Sequence, residues 1–231
     1  MLQLHIGNKN YSSWSMRPWV LLRHFGLPFQ EVMHRFDSFE AGSRFKLAVG
    51  RLSPVGKVPV LVHGDLVIWD TLAIAEYLAE YAAENFPEHA LWPRDQADRA
   101  RARSLCAEMH SGFGALRSAC PVNIEASLPE VGQRVLAEQP AVLADLARLV
   151  SMWQTALAAS GGPFLFGGFS IADAFYAPVV ARLRCYALPV PADVAAYMGR
   201  VWASPGVAAW VAGALAEQEF LDFEEPYRQH R

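Results

Sequence analysis

Residues 56–78 read GKVPVLVHGDLVIWDTLAIAEYL, and the rest of the N-terminal half can be placed around this stretch. Pro59 lies in an apolar, strand-like run. Because proline cannot donate to a β-ladder, it belongs at the first residue, the edge or a bulge of that strand. The turn residues 63–65 (HGD) lead into a second short strand. Asp70 and Thr71 then stand where a helix N-cap is expected, ahead of apolar residues at helical spacing. The unit is strand, turn, strand, helix.

Such a unit predicts a site for a small peptide-like ligand. A strand with unpaired backbone groups can bind an extended peptide through main-chain hydrogen bonds. The N-terminus of the following helix presents amide donors to a carboxylate.

Composition narrows the class of protein. With 231 residues and 53% apolar content, the chain can bury a sizeable core in one or two domains. The net charge of -3 argues against nucleic acid or an anionic membrane as a partner. No stretch approaches the roughly 18 apolar residues of a membrane span, and no leader pattern is present, so we expect a cytoplasmic protein.

Cysteine and histidine spacing gives no support for redox or metal chemistry. The three cysteines are far apart and form no C-x-x-C pair, which favours buried thiols. The seven histidines show no ligand spacing, so no metal site is predicted.

A cluster of hydroxyl groups precedes the first helix. Leu2, Leu4 and Ile6 alternate with polar residues and predict a strand over 2–6. Residues 11–18 (YSSWSMRP) then lead into apolar residues at helical spacing. A serine here is either an ordinary N-cap or a donor to a bound anion, and the pattern leaves both open.

These two segments together resemble the glutathione S-transferases. In that family the proline of G-x-V-P-x-L is cis, and an acidic residue followed by Ser or Thr opens the next helix, as Asp70 and Thr71 do here. The stretch SSWSMRPWVLL is similar to the S-S-C-x-W-R-V-R-I-A-L signature of zeta-class transferases and maleylacetoacetate isomerases. Ser12, Ser13 and Arg17 set the register, and Trp14 stands where the zeta class has Cys.

The resemblance implies an α+β thioredoxin-like N-terminal domain followed by an all-α C-terminal domain. We expect the glutathione-binding domain at 1–83, a linker at 84–94, and the helical domain with a hydrophobic substrate site at 95–231. It also implies a cis Val58-Pro59 bond and a homodimer.

Site residues follow from the same resemblance. Ser12 is expected to activate the thiol of glutathione, with Ser13 beside it as the second catalytic candidate. The residues expected to bind glutathione are Trp14, Ser15, Lys57, Val58, Pro59, Asp70 and Thr71. The residues expected at the hydrophobic substrate site are Tyr11, His110, Phe113 and Arg117. Glutathione is the expected co-substrate, with no metal.

The remaining elements are predicted from periodicity. We expect a strand over 29–35, a short helix over 40–50, and helices over 71–83, 95–119, 191–202 and 205–216. Another helical region resumes after Pro140 and ends at residues 161–163. Ser170 and Asp173 match a capping box before a helix through Val180. The pattern of residues 217–231 predicts no element.

The predicted function is transfer of glutathione to a small hydrophobic electrophile. A glutathione-dependent cis-trans isomerase and a glutathione-binding protein without turnover remain alternatives. A thiol oxidoreductase is disfavoured, because it requires a Cys at Ser12 or Ser13 and residues 1–83 contain none. The electrophile cannot be read from the sequence.

Overall fold

The computed structural model describes residues 1–231. Its N-terminal part is a four-stranded sheet with three helices, which run in chain order as β1 (Leu2–Ile6), α1 (Ser13–His24), β2 (Phe29–Met33), α2 (Arg44–Gly50), β3 (Val60–His63), β4 (Leu66–Ile68) and α3 (Thr71–Asn85). The strand order across the sheet is β2-β1-β3-β4. Strand β1 is parallel to β2 and antiparallel to β3, and β3 is antiparallel to β4. This is the predicted thioredoxin-like arrangement.

The stretch 56–78 folds as the predicted unit, with one difference. Strand β3 begins at Val60 and is paired on both sides, with β1 and with β4. Its own edges are therefore not free, and the unpaired backbone lies just before it, at Val58. The Val58-Pro59 peptide bond is cis, as expected.

Three predicted boundaries shift. Strand β2 ends at Met33 rather than at residue 35. Helix α2 begins at Arg44 rather than at residue 40, because the hydroxyl of Ser43 accepts the Lys46 amide at 3.1 Å and caps it there. Helix α3 continues to Asn85, into the expected linker.

The C-terminal part is helical, as predicted. Its helices are α4 (Gln96–Ser111), α5 (Gly114–Ala119), α6 (Pro129–Glu138), α7 (Pro140–Ser160), α8 (Ile171–Cys185), α9 (Ala192–Ala203) and α10 (Pro205–Glu217), followed by a 3₁₀ turn at Asp222–Glu224. No helix is both long and apolar enough to cross a bilayer.

The prediction of one continuous helix over 95–119 is wrong. The chain breaks between α4 and α5 at Gly112 and Phe113, and Phe113 adopts a left-handed φ of 56°. A Cβ at Gly112 would lie 2.7 Å from the carbonyl oxygen of Glu108, so a side chain at this position would clash with the end of α4. Apolar residues recur at helical spacing on both sides of the break, so periodicity does not reveal it.

The capping box of α8 is confirmed. The Asp173 carboxylate accepts the Ser170 amide at 2.9 Å and the Leu165 amide at 3.2 Å, and the Tyr197 hydroxyl at 3.1 Å. Asp173 is fully buried, so these bonds satisfy a carboxylate that has no access to water. Helix α8 continues to Cys185, five residues beyond the predicted end at Val180, and all but one of its residues are buried.

Helix α1 joins the two parts of the molecule. It packs against α3 on the N-terminal side and against α8 and α10 on the C-terminal side. One hydrophobic cluster therefore contains residues of both parts, including Met16 and Val20 of α1 and Phe175 of α8. Since α1 is held from both sides, the serines at its N-terminus lie at the junction between the two parts.

The C-terminal tail, residues 218–231, folds back over the start of the chain. The Glu217 carboxylate just before it accepts the amides of Lys9 and Asn10 at 2.7 and 3.2 Å. Within the tail, the Glu219 carboxylate accepts Asn8 Nδ2 at 2.7 Å. The tail therefore covers the loop between β1 and α1.

Candidate functional site

Two cavities open where the N-terminal sheet meets the helical part. The larger, of about 440 Å³, is lined by Tyr11, Ser12, Ser13, Trp14, Phe36, Phe39, Phe45, Lys46, Lys57, Val58, Arg117, Pro121, Val122, Arg182 and Glu224. The smaller, of about 330 Å³, is lined by Trp14, Val55, Lys57, Val58, Pro59, Trp69, Asp70, Thr71, His110 and Arg117. Four residues line both, so the cavities adjoin at Trp14, Lys57, Val58 and Arg117.

Ser12 occupies the N-cap position of α1, but its side chain caps nothing. An N-cap serine ordinarily accepts an amide from the first turn of its helix. Here Ser12 Oγ lies 2.7 Å from Ser15 Oγ instead, and the amides of Trp14 and Ser15 have no acceptor in the protein. The end of α1 at the larger cavity thus combines a hydroxyl with unpaired amides, an arrangement that favours an anion.

Ser13 also lines the larger cavity, and its hydroxyl makes no hydrogen bond within the protein. Its amide donates to the Tyr11 carbonyl at 2.9 Å. Both serines predicted to be catalytic are therefore at the cavity wall. Ser12 differs from Ser13 because the Ser15 hydroxyl lies within hydrogen-bond distance of its Oγ.

Tyr11 contributes its ring to the larger cavity but directs its hydroxyl to the tail. The hydroxyl donates to Glu225 Oε1 at 2.8 Å and lies 3.2 Å from the Glu219 carbonyl oxygen. Burial, together with the hydrogen bond to Glu225, raises the pKa of Tyr11 to about 12. The Tyr11 hydroxyl is therefore held by the tail and is a weak proton donor.

The smaller cavity carries the features expected for a peptide-like ligand. The peptide N–H and C=O of Val58 form no backbone hydrogen bond. Asp70 is the N-cap of α3 and accepts the Leu72 amide at 3.2 Å. The Thr71 hydroxyl is buried and has no partner in the protein. Unpaired backbone and an unpaired hydroxyl thus face one cavity at a helix N-terminus.

His110 does not belong to the larger cavity, contrary to the expectation for the hydrophobic substrate site. Its Nε2 lies 3.2 Å from Asp70 Oδ2, and its ring packs edge-to-face on Trp14 with the centroids 5.1 Å apart. His110 therefore lines the smaller cavity. It reaches this cavity because α4 ends at Ser111, beside α3.

Two further residues predicted for the site line neither cavity. Phe113 is 6% exposed, belongs to the hydrophobic core and lines neither cavity, because the left-handed turn at this residue directs its side chain inward. Ser15 is fully buried and also lines neither cavity, because its hydroxyl accepts the Gly7 amide at 3.1 Å beneath the start of α1. Ser15 therefore has no direct access to a ligand.

Trp14 stands at the boundary between the cavities, near two guanidinium groups. The Cζ atoms of Arg17 and Arg117 lie 3.8 and 4.9 Å from the centroid of its ring. Arg17 is buried and has no carboxylate within ion-pair distance. Burial, with repulsion from Arg182 and Arg117, lowers the pKa of Arg17 to about 9. Arg17 therefore forms no ion pair within the protein.

Several cavity residues were not found from the sequence. Arg182 is buried in α8, where it donates to the carbonyls of Arg117 and Cys120, and burial lowers its pKa to about 10. Two cations, Arg182 and Arg184, end the apolar run of α8, and only the structure shows that Arg182 is buried while Arg184 is exposed. Glu224 comes from the tail, and burial raises its pKa to about 7. No sequence pattern places that carboxylate in the cavity.

The aromatic wall and Lys46 come from the segment around α2. Phe36, Phe39 and Phe45 form edge-to-face contacts with one another, and Lys46 Nζ donates to the Gly56 carbonyl at 3.0 Å. Arg44, by contrast, pairs with Asp37 in solvent. Lys46, rather than Arg44, is the α2 cation at the cavity. No group of three or more His, Cys, Asp or Glu side chains is arranged to hold a metal ion.

Comparisons with known proteins agree with this architecture. Residues 11–81 match the model of the glutathione S-transferase N-terminal domain, and residues 95–213 match that of the C-terminal domain. Glutathione S-transferase Z1 of Arabidopsis thaliana is 44% identical over 99 residues, covering 40% of each chain. A probable maleylacetoacetate isomerase of Caenorhabditis elegans is 33% identical over 106 residues, covering 46% of this chain and 45% of that protein. These matches span less than half the length of the relatives.

Whole-chain similarity is found among solved structures. A glutathione transferase homologue from Burkholderia, crystallised with bound glutathione, is 26% identical, with a TM-score of 0.66 and coverage of 94% of this chain and 99% of that one. A transferase from Xylella fastidiosa has the same fold, with a TM-score of 0.65 over 93% of this chain and 98% of that one at 22% identity. The two domain matches together cover most of the sequence, in the order that the fold shows. The chain belongs to the glutathione S-transferase family.

Proposed function

We propose that this protein binds glutathione, stabilises its thiolate with Ser12 and transfers it to a small hydrophobic electrophile. The observation that carries the proposal is the N-terminus of α1. The Ser12 hydroxyl is not engaged in capping, lines the larger cavity and stands beside unpaired helix amides.

In the proposed complex, glutathione lies along the residues before β3. Its cysteinyl backbone pairs with the free N–H and C=O of Val58, as a strand would. Its γ-glutamyl carboxylate accepts from the Thr71 hydroxyl and the first amides of α3, and its ammonium group faces Asp70. Lys46 and Lys57 are the cations at the cavity for the glycine carboxylate. The buried Thr71 hydroxyl thereby gains the partner that the protein does not provide.

The reaction follows from the pKa of the thiol. A free thiol has a pKa of about 8.5 and is mostly protonated at pH 7. A hydroxyl and a helix N-terminus that stabilise the anion by about 1.4–2.7 kcal/mol lower that pKa by one to two units. The thiol proton leaves to solvent, the thiolate sulfur forms a bond to the electrophilic carbon, and the leaving group departs with its electron pair. The aromatic wall of the larger cavity favours an apolar electrophile.

The test is the pKa of the bound thiol, measured by thiolate absorbance across pH. Ser12→Ala is expected to raise that pKa by one to two units and to lower conjugation of an aryl halide at pH 7 about tenfold or more. The Kd for glutathione is expected to change less than about threefold, because Val58, Asp70 and Thr71 are untouched. Ser13→Ala removes the other cavity hydroxyl and is expected to shift the thiol pKa less than Ser12→Ala does, because no second hydroxyl positions Ser13. If neither variant changes the rate or the thiol pKa, serine activation is refuted.

A glutathione-dependent isomerase is the second candidate, and the arginines favour it. Arg117 and Arg182 line the larger cavity, and neither has a carboxylate within ion-pair distance. Such a pair suits a substrate with carboxylate groups. We expect transfer to a halide to predominate, because Trp14 replaces the zeta-class Cys. An isomerase kcat/KM a hundredfold above the transferase value, about 2.7 kcal/mol of transition-state stabilisation, would reverse the assignment. A carrier without turnover would show neither rate.

We also propose that two copies of the chain associate. Leu66 lies in β4, the outer strand of the sheet, and is 49% exposed; Trp69 follows that strand, borders the smaller cavity and is 39% exposed. Exposed apolar residues at a strand edge are typical of an interface. Light scattering at micromolar concentration is expected to exceed the monomer mass of 25.5 kDa, and a monomer would refute the proposal.

A further inference from the structure

Ser15 is buried beside the site, and its contacts point to a role. It is the third residue of α1, is fully buried, and its side chain contacts no cavity. Its hydroxyl has two hydrogen-bond partners. The Gly7 amide donates to it at 3.1 Å, and Ser12 Oγ lies 2.7 Å away.

The direction of the hydrogen bond between Ser12 and Ser15 depends on what Ser12 does. A hydroxyl carries one hydrogen and accepts through two lone pairs. The two serines share a single hydrogen across 2.7 Å, and either can supply it. If the Ser12 hydrogen is donated to a thiolate in the cavity, the shared hydrogen must come from Ser15.

The result is a chain of donors that all point toward the cavity. The Gly7 N–H donates to Ser15, Ser15 donates to Ser12, and Ser12 donates to the sulfur. Hydrogen bonds aligned in this way polarise one another, so each strengthens the next. No backbone carbonyl competes for the Ser15 hydrogen, since Gly7 and Ser12 are its only partners.

The first donor of the chain is held in place by the fold. A Cβ at Gly7 would lie 2.2 Å from the ring of Phe36, so the backbone there packs directly against that side chain. The Ser12 amide donates to the Asn8 carbonyl at 2.8 Å, and the Phe36 amide donates to Asn8 Oδ1 at 2.7 Å. Both ends of this chain of donors, Gly7 and Ser12, are therefore held by contacts of the loop between β1 and α1.

We propose that Ser15 is a positioning residue that fixes the Ser12 hydroxyl and directs its hydrogen to the thiolate. This inference rests on the proposed function of Ser12. Ser15 does not touch glutathione and acts through Ser12. Without it, the Ser12 hydroxyl rotates freely and loses the donor behind it, so the thiolate is less stabilised.

A double-mutant cycle tests the proposal. The pKa of the thiol of bound glutathione is measured in the wild type, Ser12→Ala, Ser15→Ala and the double variant. Ser15→Ala is expected to raise the thiol pKa by about half a unit to one unit with the Ser12 hydroxyl present, a threefold to tenfold loss of thiolate stabilisation. It is expected to add no shift in the Ser12→Ala background. A shift of equal size in both backgrounds would overturn the proposal, because it would show an effect that does not pass through Ser12.

Controls separate positioning from folding. Ser53 is 1% exposed and its hydroxyl has no partner, so Ser53→Ala also removes a buried serine hydroxyl but is expected to leave the thiol pKa unchanged. Ser15→Thr retains the hydroxyl and is expected to keep the wild-type pKa. If Ser15→Ala does not fold, Ser15→Cys, a weaker donor of similar size, replaces it in the cycle, with the same two outcomes.

The outcomes also separate the two proposals. If Ser12→Ala leaves the thiol pKa unmoved, the proposed activation by Ser12 fails. If Ser12→Ala raises the pKa and neither Ser15→Ala nor Ser15→Cys does so, only the positioning role of Ser15 is refuted.

Discussion

Tyr11→Phe removes the Tyr11 hydroxyl and keeps the ring. The variant tests whether this hydroxyl attaches the C-terminal tail or activates the thiol. The hydroxyl donates to the carboxylate of Glu225 at 2.8 Å. A hydrogen bond to a charged group contributes about 1.5–3 kcal/mol. Glu225 keeps Asn123 and Arg228 as donors, which places the loss at about 1.5–2 kcal/mol. If the tail opens without the rest of the protein, its open population rises about 10- to 30-fold.

Amide hydrogen exchange measures that opening. The amides of Glu224, Glu225 and Arg228 donate within the tail, and in Tyr11→Phe they are expected to exchange about 10- to 30-fold faster. The thiol pKa of bound glutathione is expected to stay the same, because the Tyr11 hydroxyl faces Glu225 and not the α1 N-terminus. Tyr227→Phe is the comparison: it also removes a hydroxyl that attaches the tail, but one that donates to the neutral Ala119 carbonyl at 2.7 Å, so exchange is expected to rise less than in Tyr11→Phe. Unchanged exchange with a thiol pKa raised by one unit would refute this reasoning and make Tyr11 the activator.

Three further predictions concern stability. Asp173→Ala removes a buried carboxylate that accepts four hydrogen bonds. The free energy of unfolding, measured in urea, is expected to fall by about 3–5 kcal/mol. A loss below about 1 kcal/mol would contradict the capping role. Burial raises the pKa of Glu224 to about 7 from its ordinary value of 4.5, so its contribution to stability is complete below pH 4.5 and is lost as the pH rises through 7. Glu224→Gln is therefore expected to be more stable than the wild type above pH 7, and thermal melts at pH 4 and pH 8 that show equal differences would disprove this. Gln218 is exposed with a left-handed φ of 53°, so Gln218→Gly is expected to raise the unfolding free energy by about 0.5–1 kcal/mol, and a lower melting temperature would argue otherwise.

The sequence by itself determined the elements whose signals are local. The stretch 56–78 carries its own strand, turn and N-cap residues within a few positions, so both its strands and the helix from Thr71 could be predicted. The same holds for Ser170 and Asp173, because a capping box is complete within four residues. Ser12, Ser13, Val58 and Thr71 reach the cavities because they lie at the ends of such elements.

Only the tertiary structure decided which side chains share a cavity, because that depends on how distant elements pack. His110 and Phe113 lie three residues apart, yet a left-handed turn sends one to Asp70 and the other into the core. Ser15 follows Ser12 by three residues and carries the same hydroxyl. It has no access to the cavity because it lies on the buried side of α1, a helix that both parts of the molecule enclose. Glu224 enters the larger cavity because the tail crosses the loop before α1, more than two hundred residues earlier in the chain. Contacts between residues that far apart leave no periodicity in the sequence, since periodicity reports only which face of one element is buried.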